Sequence, residues 1–128
     1  MTDSKVLLDS SVWLGYFLGN TPRAKEFVDS DDAINLTSAI SIHEIYKKIN
    51  KLRDRKAAEK AVSFIEENSI IIGVTKETAV LSARNCEKYG LHTIDGLIYS
   101  TAMLEKAGFI TADNDFRKTP KTTIISGK

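Results

Sequence analysis

Apolar residues follow two rhythms along this chain. Short runs without regular polar alternation occur at Val6-Leu7-Leu8, Ile34-Asn35-Leu36-Thr37, Ile70-Ile71-Ile72, Phe109-Ile110-Thr111 and Thr122 to Ile125. Between them, apolar side chains recur at three- and four-residue steps, as in Ile42, Ile45, Ile49, Leu52 and again in Ala58, Val62, Ile65. The first rhythm predicts strands and the second predicts helices with one buried stripe. Punctuation sets the boundaries. Ser10 or Ser11 caps a short helix through Phe17, which Gly19-Asn20 ends. Thr21-Pro22 opens a helix carrying Ala24, Phe27 and Val28, with Pro22 in the first turn, where its missing N–H costs nothing. Ser38 opens the Ile42–Leu52 stripe, and further helices run from about Lys56 to Glu67 and from Lys76 to Lys88, the latter stopped by Gly90. Thr93 or Asp95 begins a last helix through Lys106, with Gly108 as its C-terminal cap. That helix is apolar almost all round and is expected to be central and buried.

Strands that alternate with helices and lack polar alternation indicate a parallel sheet covered on both faces. Such sheets bind ligands beyond the carboxyl ends of their strands. At 128 residues the chain is read as one domain, with no repeat, linker or low-complexity tract. The near-balance of 18 basic and 17 acidic residues gives no overall pull toward nucleic acid, so any such affinity depends on where the charges sit. A single cysteine, Cys86, excludes an intrachain disulfide and points to a reducing cytoplasm. The N-terminal stretch lacks a secretory pattern, and no apolar run approaches the roughly 20 residues of a membrane span.

The sheet rule draws attention to acids. Asp9 directly follows the first predicted strand and Asp113 stands just beyond the end of a later one, so both fall at the carboxyl edge. Asp95 stands in the first turn of the greasy helix, and Glu44 lies inside the helix after the second strand. Each has a structural reading as well. Asp95 would suit a helix N-terminus, Glu44 would pair with Lys48 one turn on, and Asp9 and Asp113 would serve as turn residues. Together they mean more, because clustered carboxylates repel unless one is protonated or a cation neutralises them. Oxygen-only donors select hard cations such as Mg²⁺ or Mn²⁺. His43, His92 and Cys86 have no zinc-ligand spacing, and both histidines are read as loop or surface residues. A metal held by carboxylates suits phosphodiester hydrolysis.

Four motifs in order carry a family likeness: Leu8-Asp9-Ser10-Ser11, Ser41-Ile42-His43-Glu44-Ile45, Thr93-Ile94-Asp95-Gly96-Leu97-Ile98, and Ile110-Thr111-Ala112-Asp113-Asn114-Asp115-Phe116. On these, the chain resembles the PIN domain from Val6 to the last strand, and most closely the toxin ribonucleases of VapC type. The resemblance implies a three-layer α/β/α sandwich around a central parallel sheet of about four to five strands. It implies an endoribonuclease dependent on Mg²⁺ or Mn²⁺, with Asp9, Glu44, Asp95 and Asp113 as the catalytic, metal-binding acids. Ser11 and Thr111 match hydroxyl residues that orient the carboxylates, and Asp115 matches a variable fifth acid that is otherwise a turn residue. Gly96 departs from the commoner alanine.

The resemblance also implies a second copy of the chain and a VapB-like antitoxin as partners. An RNA path is sought first among Lys48, Lys51 and Arg53, within the basic stretch from Lys47 to Lys56. Lys48 and Lys51 share a helix face with Glu44, although a solvated helix end explains the same charges. Trp13 and Phe17 suit either base stacking or packing. Two other readings stay open. One is a PIN nuclease in RNA processing or decay without an antitoxin. The other, of a different class, is a non-catalytic acidic-pocket or phosphoacceptor domain, which would want a second acid beside Asp9. A haloacid-type phosphatase would likewise want an aspartate at position 11, where Ser11 stands.

Overall fold

The apolar runs pair side by side, as their lack of polar alternation requires. In the computed structural model, which describes residues 4–125, they form one sheet of five parallel strands. These are β1 (Lys5–Leu8), β2 (Ile34–Ser38), β3 (Ile70–Ile72), β4 (Gly108–Thr111) and β5 (Thr122–Ile124), in the order β3-β2-β1-β4-β5. The first residues of the N-terminal stretch read for a secretory pattern lie outside the described residues. Val6 pairs with Asn35 on one side and Gly108 on the other, so β1 is central and flanked by β2 and β4. The chain therefore steps outward from β1 to β3, then crosses back to β4. The point of reversal lies between β1 and β4.

Helices α1 (Ser10–Leu18), α2 (Ala24–Val28), α3 (Ala39–Leu52), α4 (Arg55–Asn68), α5 (Lys76–Tyr89) and α6 (Thr93–Leu104) complete the fold with a 3₁₀ turn, Asn114–Phe116. Successive strand residues point to opposite faces, and this divides the core in two. Leu8 and Ile110 pack with Val12, Trp13, Ile45 and Ile65. Their neighbours Leu7 and Phe109 pack with Leu36, Ile98, Tyr99 and Phe116. Helices α1 to α4 thus cover one face, and α5, α6 and the 3₁₀ turn cover the other, giving the expected three layers. Trp13 is fully buried and donates its indole N–H to Thr37 Oγ1 at 3.1 Å, which makes it a core residue and not a stacking platform. No helix among the described residues is long and apolar enough to cross a membrane.

Several boundaries differ from expectation. The residue before α1 is Asp9, not Ser10 or Ser11, because the chain turns into helix immediately after the strand. α2 begins at Ala24, and Pro22 belongs to the turn before it, closed by Ala24 N–H to Thr21 C=O at 2.9 Å. Gly108 is not the cap of α6. The helix ends at Leu104, and Ala107 N–H reaches back to Ala102 C=O at 3.0 Å across Lys106, which takes the left-handed conformation at φ 54°. That six-to-one bond closes the helix, and Gly108 is free to open the buried strand β4. α6 is also less enclosed than its composition implies. Ile98, Tyr99 and Ala102 are buried, but Ile94, Met103 and Leu104 are exposed.

Candidate metal centre

The carboxyl edge at the β1/β4 reversal is where this topology forms sites, and it is built by tying two strand ends together. Asp9 extends the β1–β4 ladder by one residue, its N–H donating to Ile110 C=O at 2.9 Å. Its side chain turns inward and is only 3% exposed. It makes no capping bond to α1, because Oδ2 accepts from Ser11 Oγ at 2.8 Å and Thr111 Oγ1 at 2.7 Å. The same hydroxyls accept from the chain beyond β4, Ser11 Oγ from Ala112 N–H at 2.9 Å and Thr111 Oγ1 from Asp113 N–H at 3.0 Å. Sequence alone placed Ser11 and Thr111 beside the acids by likeness, and the hydrogen bonds give the physical reason. Burial pushes the Asp9 carboxyl above its ordinary value, opposed by the Thr111 and Ser11 bonds and reinforced by Glu44.

The other acids arrive from three further elements. Ser38 caps α3 by accepting from Ile40 N–H at 3.1 Å, which sets Glu44 in the second turn. Glu44 pairs with no cation among the described residues. Its Oε1 instead accepts from Ser10 Oγ at 2.8 Å, across from the start of α1. Ser10 was read from sequence only as a helix cap, so this role was missed. Asp95 is the third residue of α6 and is half-buried. Asp113 precedes the 3₁₀ turn and caps it, Oδ1 accepting from Asp115 N–H at 2.8 Å.

That turn brings Asp115 into the group. One carboxylate oxygen each from Asp95, Asp113 and Asp115 lie within 4.8 Å of one another. Asp9 and Glu44 stand outside this closest trio but remain electrically coupled to it. The Asp95 carboxyl is raised to about 6, first by burial and then by Asp9, Asp113, Glu44 and Asp115 in turn. Among the described residues no lysine or arginine forms an ion pair with any of the five acids. Uncompensated carboxylates on an all-oxygen donor set fit a hard divalent cation.

A cleft of about 250 Å³ opens beside the trio, walled by the end of α5, the start of α6 and the 3₁₀ turn. Asp95 and Asp115 line it together with Tyr89, His92, Arg117 and Lys118. The basic residues singled out from sequence are placed differently. Lys48, Lys51 and Arg53 are exposed along the far part of α3 and the turn after it. Arg53 lines a separate apolar groove with Phe17, Ile49 and Ala61.

Comparisons agree with this architecture. No curated protein matches the sequence. Among solved structures, the chain is similar to a toxin–antitoxin complex from Klebsiella pneumoniae, at 24% identity and a TM-score of 0.77, covering 92% of this chain and 95% of that one. It is also similar to a DNA-bound VapBC from Salmonella typhimurium, at 14% identity and TM-score 0.77, with both chains covered completely at 100%. A third is VapC20 of Mycobacterium tuberculosis, described as a sarcin–ricin loop cleaving toxin, at 16% identity and TM-score 0.75, covering 90% of this chain and 95% of that one. At these identities the likeness speaks to the fold. The family model for the PIN domain matches residues 6–122, nearly the whole chain, and the chain therefore belongs to the PIN domain family.

Proposed function

We propose that the chain is a divalent-metal-dependent endoribonuclease and the toxin of a VapBC-type pair. The observation that carries the chemistry is the Asp95–Asp113–Asp115 trio, with oxygens within 4.8 Å and Asp9 and Glu44 coupled to it, at the reversal point of the sheet. Asp95, Asp113 and Asp115 would hold Mg²⁺ or Mn²⁺ most directly, with Asp9 and Glu44 completing the acidic wall. When bound, such an ion lowers the pKa of water and stabilises charge on phosphoryl oxygens.

The remaining work falls to the chain itself. The Ser11 and Thr111 hydroxyls fix Asp9 Oδ2 and keep its carboxylate from rotating. Ser10 fixes Glu44 Oε1 and leaves Oε2 without a hydrogen-bond partner among the described residues. Asp95, its carboxyl raised to about 6 by burial and its acidic neighbours, would be ionised above that pH and so able to hold the ion.

The antitoxin reading is supported by the similar structures, which include toxin–antitoxin complexes. A homodimer follows from the family resemblance, and light scattering on the purified chain checks it. The nuclease reading is tested with structured RNA in Mg²⁺, Mn²⁺ or chelator. Wild type should cleave only with metal, and Asp95→Asn should not cleave. Metal-independent cleavage, or an unaffected variant, removes the mechanism. Expression of the chain alone should arrest growth, and Asp9→Asn should relieve the arrest. If cleavage holds but growth is unaffected, the chain is a PIN nuclease acting without an antitoxin.

A further inference from the structure

The cleft beside the trio carries opposite charges side by side without letting them pair. Asp95 and Asp115 line it, and so do Arg117 and Lys118, yet neither cation forms an ion pair among the described residues. Arg117 is partly anchored, one guanidinium N–H donating to Asn114 C=O at 3.2 Å, which holds it at the end of the 3₁₀ turn. His92 is exposed at the start of α6, and its imidazole makes no hydrogen bond within the described residues. Carboxylates and free cations in one cleft suit a ligand that is itself anionic and approaches a cation held by the acids. A phosphodiester has that chemistry, and arginine and lysine are its common partners.

The α3 lysines fit this role less well. α3 starts at the carboxyl edge after β2 and runs back along the sheet, so its residues recede from the acids. At 1.5 Å per residue, Lys48 lies about 6 Å and Lys51 about 10 Å along the axis beyond Glu44. The position of Arg117 and Lys118 follows instead from Asp113 and Asp115. The 3₁₀ turn that delivers Asp115 to the trio ends at Phe116, so the next two residues emerge at the rim of the same cleft.

We propose that this cleft is the subsite for one nucleotide next to the scissile phosphodiester of single-stranded RNA, with Arg117 and Lys118 on its phosphate and His92 against its base. An unpaired nucleotide is required, because only an unstacked base presents its face to a side chain. The inference rests on the nuclease reading, and it locates the RNA on the α5–α6 side of the acids.

The test measures binding apart from cleavage. A fluorescein-labelled, random-sequence single-stranded RNA is titrated by anisotropy across a KCl series, with Ca²⁺ in place of Mg²⁺. Arg117→Gln/Lys118→Gln should weaken binding about tenfold and flatten the slope of log K against log salt by about 1.4, the value for two lost phosphate contacts on a single strand. The charge-preserving pair Arg117→Lys/Lys118→Arg should stay within about twofold of wild type with the slope retained. His92→Ala should lose about fivefold with no change of slope, as expected for a lost stacking contact. Mn²⁺ affinity, measured by calorimetry, should not fall in any of the three. An unchanged slope in the glutamine pair overturns the subsite, as does a slope change that appears in Lys48→Gln/Lys51→Gln instead. A parallel fall in Mn²⁺ affinity also overturns it, since Arg117 and Lys118 would then act by shaping the acids. Failure of the nuclease reading shows separately, as Asp95→Asn that still cleaves RNA.

Discussion

Thr111 shows how much of this site depends on one side chain. It is fully buried at the end of β4, and its hydroxyl does two jobs. It donates to Asp9 Oδ2 and accepts from Asp113 N–H, so it sets the spacing between the two acids at the strand ends. Thr111→Val keeps the shape and the β-branching but removes both bonds. Of its two hydroxyl donors the buried Asp9 carboxyl then keeps only Ser11, and the Asp113 N–H loses its partner. We expect the variant to lose about 1–3 kcal/mol of stability, the cost of leaving buried polar groups unsatisfied. Metal affinity or cleavage should fall about 10- to 100-fold, as is usual when a ligand loses its orienting partner. Thr111→Ser should recover most of both. Urea melts and metal titrations measure the two effects, and a valine variant with wild-type metal affinity would show that the hydroxyl orients nothing.

At the scale of elements, the packing of α6 on α5 decides where Asp95 sits. Gly96 follows Asp95 on the buried side of α6, and a Cβ there would collide with Cys86 Sγ and Ser82 Oγ and come within 3.3 Å of the Ser82 backbone oxygen. The side chains can rotate away, but the backbone oxygen cannot. From sequence, glycine here registers only as a departure from alanine that lowers helix propensity. In the structure it lets two helices approach closely at the turn that carries an acid. Gly96→Ala gains about 1 kcal/mol of helix propensity but should be destabilised overall by about 1–2 kcal/mol through overpacking. Adding Cys86→Ala should return part of that loss. Denaturant midpoints give the answer, and a Gly96→Ala protein as stable as wild type would mean that the helices have slack between them.

The same contrast explains what could be read in advance. β1 and β4 were legible because unbroken apolar runs have few alternatives in a chain this size, and their ends pointed directly to Asp9 and Asp113. The contact of Ser10 with Glu44 and the place of Arg117 beside the acids were not legible, and Asp115 was set with the acids only by family likeness. Ser10 meets Glu44 across 34 residues of sequence, and Asp115 joins the trio only because a 3₁₀ turn curls back over the strand end. Neither contact has a periodic signature. The end of α6 was misplaced for a related reason. Lys106 takes a left-handed conformation that sequence reading assigns to glycine by default, so Gly108 drew the boundary too far along.

For the molecule as a whole, the proposed metal centre would make stability depend on pH and metal in a linked way. The Asp95 carboxyl is raised from 3.8 to about 6, so the folded protein holds that proton more tightly than the unfolded chain. Stability from this group is therefore fully present below about pH 3.8, is lost as pH rises toward 6, and changes little above that. Asp95→Asn removes the penalty. In chelator at pH 7.5 the variant should be more stable than wild type by about 1 kcal/mol, once solvent screening of a half-exposed group is allowed for. The advantage should shrink as pH falls to 4.5, where the wild-type carboxyl is protonated. Mn²⁺ reverses the order. At about 100 times its dissociation constant, an ion that binds only the folded state adds about 2.7 kcal/mol, or about 10 °C for a chain of this length. The variant, lacking one donor of the trio, should gain far less. Thermal melts of the two proteins should therefore cross, with Asp95→Asn ahead in chelator and wild type ahead in Mn²⁺. Binding of Mn²⁺ between pH 5 and 6 should also release protons, because Asp95 must ionise to serve as a ligand. A variant less stable than wild type in chelator at pH 7.5 would mean that Asp95 supports the fold, and that the repulsion assigned to this pocket is already relieved without metal.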